Sequence, residues 1–189
     1  MVYSIGRLLS RWFLVAFFRI KVTGVENIPA RGGFLLASNH ISYLDPPAAG
    51  SAVLRPVYYM AKESLFRNPA ISALLKGVHA FPVRRETGDT RAIKTAIRLV
   101  RSGAGVLLFP GGTRGAETAQ PGIGFLAAKL SVPIVPVLVS GTDKALPKGA
   151  KFFRPAKITV KYGRPFMVDV KLSYQKIADI IMSEIGRLR

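Results

Sequence analysis

The sequence predicts an α/β fold: a single layered domain with a central, mostly parallel sheet flanked by helices, plus an N-terminal amphipathic membrane-interface helix. Three observations carry this expectation. The apolar runs at 34–38, 105–109 and 132–139 read as short strands buried on both faces. Between such runs lie longer segments with apolar residues at helical spacing, as at Ile93, Ala96, Ile97 and Val100. Strand and helix alternate along the chain, the pattern of parallel βαβ units.

The elements follow in order. Residues 1–20 are apolar and aromatic, and Arg7, Arg11 and Arg19 interrupt them. The uncharged stretch 12–18 is far short of the ~20 residues a spanning helix needs, and no small-residue cleavage site follows it. At helical spacing Arg7 and Arg11 share one face, while Ile5, Leu9, Trp12 and Ala16 share another. An aromatic helix with arginines along one side suits the plane of a membrane interface. Strands are expected at 21–25, 34–38, 56–61, 78–83, 105–109, 132–139 and 157–162. Helices are expected at 46–52, at 62–75 with an interruption at Pro69, at 89–102 before Gly103, at 122–131 and at 173–188. Tyr58, Tyr59 and Met60 read as core residues rather than an acyl pocket, and His79 as a packed core histidine within its strand. No repeat and no linker divides the chain beyond the segment 1–20 and the domain 21–189.

Composition narrows the function. A hydrophobic share of 49% excludes disorder. Without cysteine there is no disulfide, no thiolate nucleophile and no cysteine metal site, and two histidines are too few for a transition-metal centre. No metal and no cofactor are expected. A net charge of +18 calls for an anionic partner: nucleic acid, an anionic membrane surface or phosphorylated substrates. The charge is densest over 144–171, where Lys144, Lys148, Lys151, Arg154, Lys157, Lys161, Arg164 and Lys171 face Asp169 alone. A basic nucleic-acid-binding module is the reading from another class, but the chain matches none of the recognised modules.

In parallel α/β folds ligands sit past the carboxyl ends of the strands, and three motifs fall there. His40 follows the strand 34–38, with Asp45 as N-cap of the next helix and Pro46 at its first position. An imidazole takes a proton from an alcohol near neutral pH, and a carboxylate on its other nitrogen fixes the tautomer. Arg84-Arg85 follows the strand 78–83. The loop 109–115, Phe-Pro-Gly-Gly-Thr-Arg-Gly, follows the strand 105–109; its glycines would turn backbone N–H groups towards an anion, and Arg114 offers a fork suited to phosphate. It lacks the spacing of a P-loop.

Together these pieces resemble the glycerolipid acyltransferase family, and within it most closely the 1-acyl-sn-glycerol-3-phosphate (lysophosphatidic acid) acyltransferases. Asn39-His40 with Asp45 is similar to the NH-x-x-x-x-D motif, and Phe81-Pro82-Val83-Arg84-Arg85 to a second block ending in arginine. Residues 109–114 resemble FPEGTR, and 132–137 match VPIVPV. The resemblance implies that His40 is the general base, with Asp45 as its orienting partner. Asn39, Arg85, Gly112, Thr113 and Arg114 would bind substrate, the last four at the acceptor's phosphate. The implied partners are acyl-CoA or acyl carrier protein as donor, lysophosphatidate as acceptor and an anionic membrane surface, with no nucleic acid. The implied location is peripheral and monotopic, on the cytoplasmic face of the cell membrane. Residues 21–189 would be the acyltransferase domain.

The sequence departs from the pattern at Gly111, where the family has Glu, and at Gly115, where it usually has Ser. Altered acceptor choice, reduced activity and a nonfunctional, membrane-binding variant are the possible consequences. Retention of His40, Asp45 and Arg114 favours retained function. A related lysolipid or glycerol-phosphate acceptor stays open.

Overall fold

The apolar runs become strands because each is buried on both faces. A computed structural model describes residues 2–84, 89–116 and 118–189. Among these, one sheet contains β1 (Lys21–Thr23), β2 (Phe34–Ser38), β3 (Val57–Lys62), β4 (Ala80–Val83), β5 (Gly105–Leu108), β6 (Ile134–Ser140) and β7 (Thr159–Tyr162). Their spatial order is β1-β7-β6-β2-β5-β3-β4. Every pairing is parallel except β6 with β7. The β6–β7 connection carries only a four-residue helix, and β7 returns antiparallel beside β6.

The helices are α1 (Val2–Phe18), α2 (Asp45–Ser51), α3 (Pro69–Gly77), α4 (Thr90–Arg101), α5 (Pro121–Leu130), α6 (Thr142–Ala145) and α7 (Tyr174–Gly186). They cover both faces of the sheet. Phe34 and Leu36 of β2 pack with Leu14 and Phe18 of α1 and with Ala48 and Ala49 of α2. Leu35 and Ala37, one residue out of phase, pack with Ala96, Leu126 and Ile177 of α4, α5 and α7. A fully buried leucine or phenylalanine contributes about 1.5–3 kcal/mol.

Three local expectations need correction. Asp45 is the first helical residue rather than the N-cap; Leu44 takes that position and gives no side-chain bond. The helix expected over 62–75 is a 3-10 turn, Glu63–Phe66, followed by α3. Pro69 keeps Asn68 extended, and Asn68 Oδ1 caps α3 by accepting from Ala70 N (3.0 Å) and Ile71 N (3.2 Å). His79 lies before β4, at φ 65°, instead of within the strand. Its ring is sandwiched between Tyr3 of α1 (4.0 Å) and Tyr58 of β3 (4.4 Å). Burial there holds the imidazole below its usual pKa and favours the neutral form.

α1 buries Leu14 and Phe18 yet keeps a second apolar face outward. Arg7 points inward and donates to the Ser51 carbonyl (3.3 Å), while Ile5, Leu8, Leu9 and Trp12 lie on the outside. The separation of arginine and apolar faces is the one the sequence expects. No helix among the described residues is long and apolar enough to cross a membrane.

Candidate active site

The site lies at the carboxyl end of β2, where the chain leaves the sheet beside β5 and β6. Asn39 closes that end: its Nδ2 donates to the Val139 carbonyl and its Oδ1 accepts from Val139 N, both at 2.7 Å. The side chain thereby extends the β2–β6 pairing by one residue, and both its polar atoms are engaged by backbone.

Next comes His40, whose Nδ1 is 2.8 Å from Asp45 Oδ2. Asp45 is fully buried, and four donors surround it. Oδ2 also accepts from the backbone N–H of Ile41 (2.6 Å) and Ser42 (2.7 Å), and Oδ1 accepts from the Thr142 hydroxyl (2.6 Å). A buried carboxylate requires such satisfaction, because desolvation of an unpaired charge is prohibitive. An ionised carboxylate can only accept, so Nδ1 carries the proton and Nε2 presents a lone pair. The ring stacks on Phe109 at 4.1 Å and 22° and keeps 11% of its side chain exposed. The imidazole is thus held in one orientation with part of its edge exposed, an arrangement able to take a proton from a hydroxyl.

The loop after β5 packs against this turn, with Gly115 N donating to the His40 carbonyl (2.8 Å). The Gly112 and Thr113 N–H groups differ from expectation. Gly112 N bonds the Phe109 carbonyl and Thr113 N the Gly111 carbonyl, both at 2.8 Å, so these amides close the turn instead of facing an anion. Gly112 makes this possible by adopting φ 70°. Arg114 lies over the Tyr43 ring at 3.6 Å, an arrangement that fixes its guanidinium near the His40 turn. A Cβ on Gly111 would fall 2.7 Å from the Ala116 Cβ, so Ala116 occupies the space into which a side chain would grow.

Two cavities share Phe109, the ring on which the histidine stacks. A cleft of about 700 Å³ includes Gly112, Thr113, Lys62, Arg84 and Gln120 in its walls. Arg84 pairs through Nε with Glu63 (2.8 Å), which raises its already high pKa, and its backbone N–H bonds Asp89 Oδ2 (2.9 Å). That bond, with those from Ala92 N and Arg91 N, holds the Asp89 carboxyl below the usual range. A second, more apolar cavity of about 390 Å³ runs from Tyr43 and Phe109 to Gly6 and Ser10 of α1, between Leu74 and Pro46. Tyr59 and Met60, expected as core, form part of its wall.

Comparison with known proteins settles the kinship. The family model described as Acyltransferase matches residues 19–140, more than half of the chain. The chain belongs to the acyltransferase family. A 1-acyl-sn-glycerol-3-phosphate acyltransferase of Bacillus subtilis is 36% identical over 149 residues, covering 77% of this chain and 73% of that protein. One from Borreliella burgdorferi is 32% identical over 187 residues, covering 94% and 73%. The crystal structure of the 1-acyl-sn-glycerophosphate (LPA) acyltransferase PlsC from Thermotoga maritima superposes with a TM-score of 0.76 at 26% identity, covering 99% of this chain and 79% of that one.

Within this acyltransferase, the structure brings His40, Asp45, Gly112, Thr113 and Arg114 to one end of the sheet, and Arg85 lies outside the described residues. Sequence reasoning missed Thr142, Tyr43 and Lys62. Lys62 has a legible signal, since it ends a strand that leads to the same edge as the other motifs. Thr142 has only its place two residues after β6, and Tyr43 only its place inside the first motif.

Proposed function

We propose that this acyltransferase moves a fatty acyl group from an acyl thioester to the free hydroxyl of 1-acyl-glycerol 3-phosphate, giving phosphatidic acid. The observation that carries this reading is His40, held by Asp45 and stacked on Phe109, a side chain shared by a cleft that includes Lys62 and by a more apolar cavity. The acceptor's phosphate takes the cleft beside Lys62, with Arg114 over Tyr43 as a further cation, and its acyl chain takes the apolar cavity; Arg85, outside the described residues, is a phosphate ligand on the resemblance alone. His40 Nε2 removes the hydroxyl proton as the oxygen attacks the thioester carbonyl. The resulting tetrahedral oxyanion collapses with loss of the thiolate, to which the imidazolium returns the proton. Asp45 stabilises that imidazolium. The donor is acyl-CoA or acyl carrier protein, both anionic and both suited to a basic surface. α1 rests in the membrane interface on the cytoplasmic face of the cell membrane, apolar side down, as a peripheral, monotopic attachment.

The test is acyl transfer to lysophosphatidate in detergent, with acyl-CoA and acyl carrier protein supplied separately. The full chain is expected to produce phosphatidic acid with at least one donor, and His40→Ala to lose all measurable transfer while keeping its thermal unfolding midpoint. Substantial turnover by His40→Ala would remove the base assignment. Absence of product from the unaltered chain with both donors would remove the acceptor assignment.

A further inference from the structure

The segment that follows α6 carries an exposed aromatic pair set among cations. Phe152 is 81% exposed, and Lys148, Lys151 and Arg154 around it are exposed as well. None of these cations forms a salt bridge among the described residues. The segment is nevertheless shaped. Gly149 turns it at φ 83°, Ala150 N bonds the Pro147 carbonyl (3.0 Å), and Arg154 N bonds the Ala145 carbonyl (2.9 Å). Phe153 then ties it to α1, with its ring edge-on to Phe13 at 5.4 Å and to Phe18 at 5.8 Å. The aromatic tip thus adjoins the carboxyl end of α1, where exposed Phe17 lies against Phe13 at 4.9 Å.

We propose that residues 146–154 are a second membrane-docking element, inserting Phe152 among acyl chains while Lys148, Lys151 and Arg154 meet anionic headgroups. This rests on the membrane reading of α1 given above and extends it to a separate part of the chain. An aromatic ring between cations is the composition of an interfacial contact: the ring gains from leaving water, and the cations stay at headgroup level. Two contact regions on either side of the Phe13–Phe153 contact would restrict rotation about the α1 axis, which one helix alone leaves free. The same segment is bonded to the active site, because Ser42 Oγ donates to the Leu146 carbonyl (3.2 Å) and Thr142 of α6 donates to Asp45. Docking it would set how the site faces the lipid.

Tryptophan emission separates the two elements, since Trp12 of α1 is the only tryptophan in the chain. Emission is compared for the unaltered chain and for Trp12→Phe/Phe152→Trp, with phosphatidylcholine vesicles containing phosphatidylglycerol and with bromine-labelled acyl chains as quencher. Blue-shifted, quenched emission is expected from both proteins. A response from Trp12 without one from the Phe152→Trp indole overturns the docking of 146–154 and leaves α1 in place. Silence from both overturns both. In sedimentation, Lys148→Gln/Lys151→Gln/Arg154→Gln is expected to lower partitioning onto the phosphatidylglycerol vesicles on the order of a hundredfold without changing binding to phosphatidylcholine alone. Unchanged partitioning overturns the headgroup contact.

Discussion

Asp45 shows how much of an imidazole's orientation resides in the residue behind it. Its carboxylate is removed from water and met by an imidazole, two backbone amides and one hydroxyl, so each oxygen has a fixed direction. The Thr142 donor is the member that substitution can remove with least change of shape. A hydrogen bond to a charged group is worth about 1.5–3 kcal/mol. If most of it supports the imidazolium, Thr142→Val is expected to lower kcat roughly ten- to hundredfold. Thr142→Ser restores the rate, acceptor KM is little changed, and the pH–rate profile of the valine variant moves. A valine variant with normal kcat and an unchanged profile would make Thr142 a packing residue only. At this scale the His40–Asp45 pair was legible, because its partners are five residues apart. Thr142 was not legible, because 97 residues separate it from Asp45 and only the pairing of β2 with β6 closes that gap.

The turn after β5 illustrates what element-level reading supplies and omits. A glycine-rich stretch after a buried strand identifies a functional loop, yet it says nothing of which way its amides point. Here the Gly112 and Thr113 amides bond the loop's own carbonyls and the Gly115 amide bonds that of His40. The space beside Gly111 follows from the same closure. A Cβ 2.7 Å from that of Ala116 would overpack the turn, at a cost of about 1–3 kcal/mol. Gly111→Ala and Gly111→Glu are therefore expected to lower the thermal unfolding midpoint, and adding Ala116→Gly to recover part of the loss. Restoring the family's carboxylate is expected to raise transfer only in the double variant. Full stability of Gly111→Glu alone would mean the turn rearranges freely.

Across the whole molecule, the proposed interfacial attachment would draw on two features, a net charge of +18 and an outward apolar face of α1. The two contributions differ in their response to salt. Raising ionic strength shortens the Debye length from ~10 Å at 0.1 M to ~3 Å at 1 M. Binding to anionic vesicles is expected to fall over that range towards a residual level set by α1. Leu9→Ser/Trp12→Ser should abolish the residual level, since those side chains are 61% and 66% exposed and contribute nothing to the core. Sedimentation that ignores both salt and this double substitution would remove α1 from the interface.

The sequence by itself determined the layered α/β class, the order of its strands and helices, and the positions of His40, Asp45 and the glycine-rich loop at strand ends. These depend on periodicity, burial and short-range motifs, which are properties of neighbouring residues. Only the tertiary structure decided the strand order, the antiparallel return of β7 and the closure of the loop on its own carbonyls. It also decided the Thr142 and Tyr43 contacts and the joining of Phe153 to α1. Each of these depends on which distant segments become neighbours once both faces of the sheet are covered, and no local pattern of residues encodes that choice.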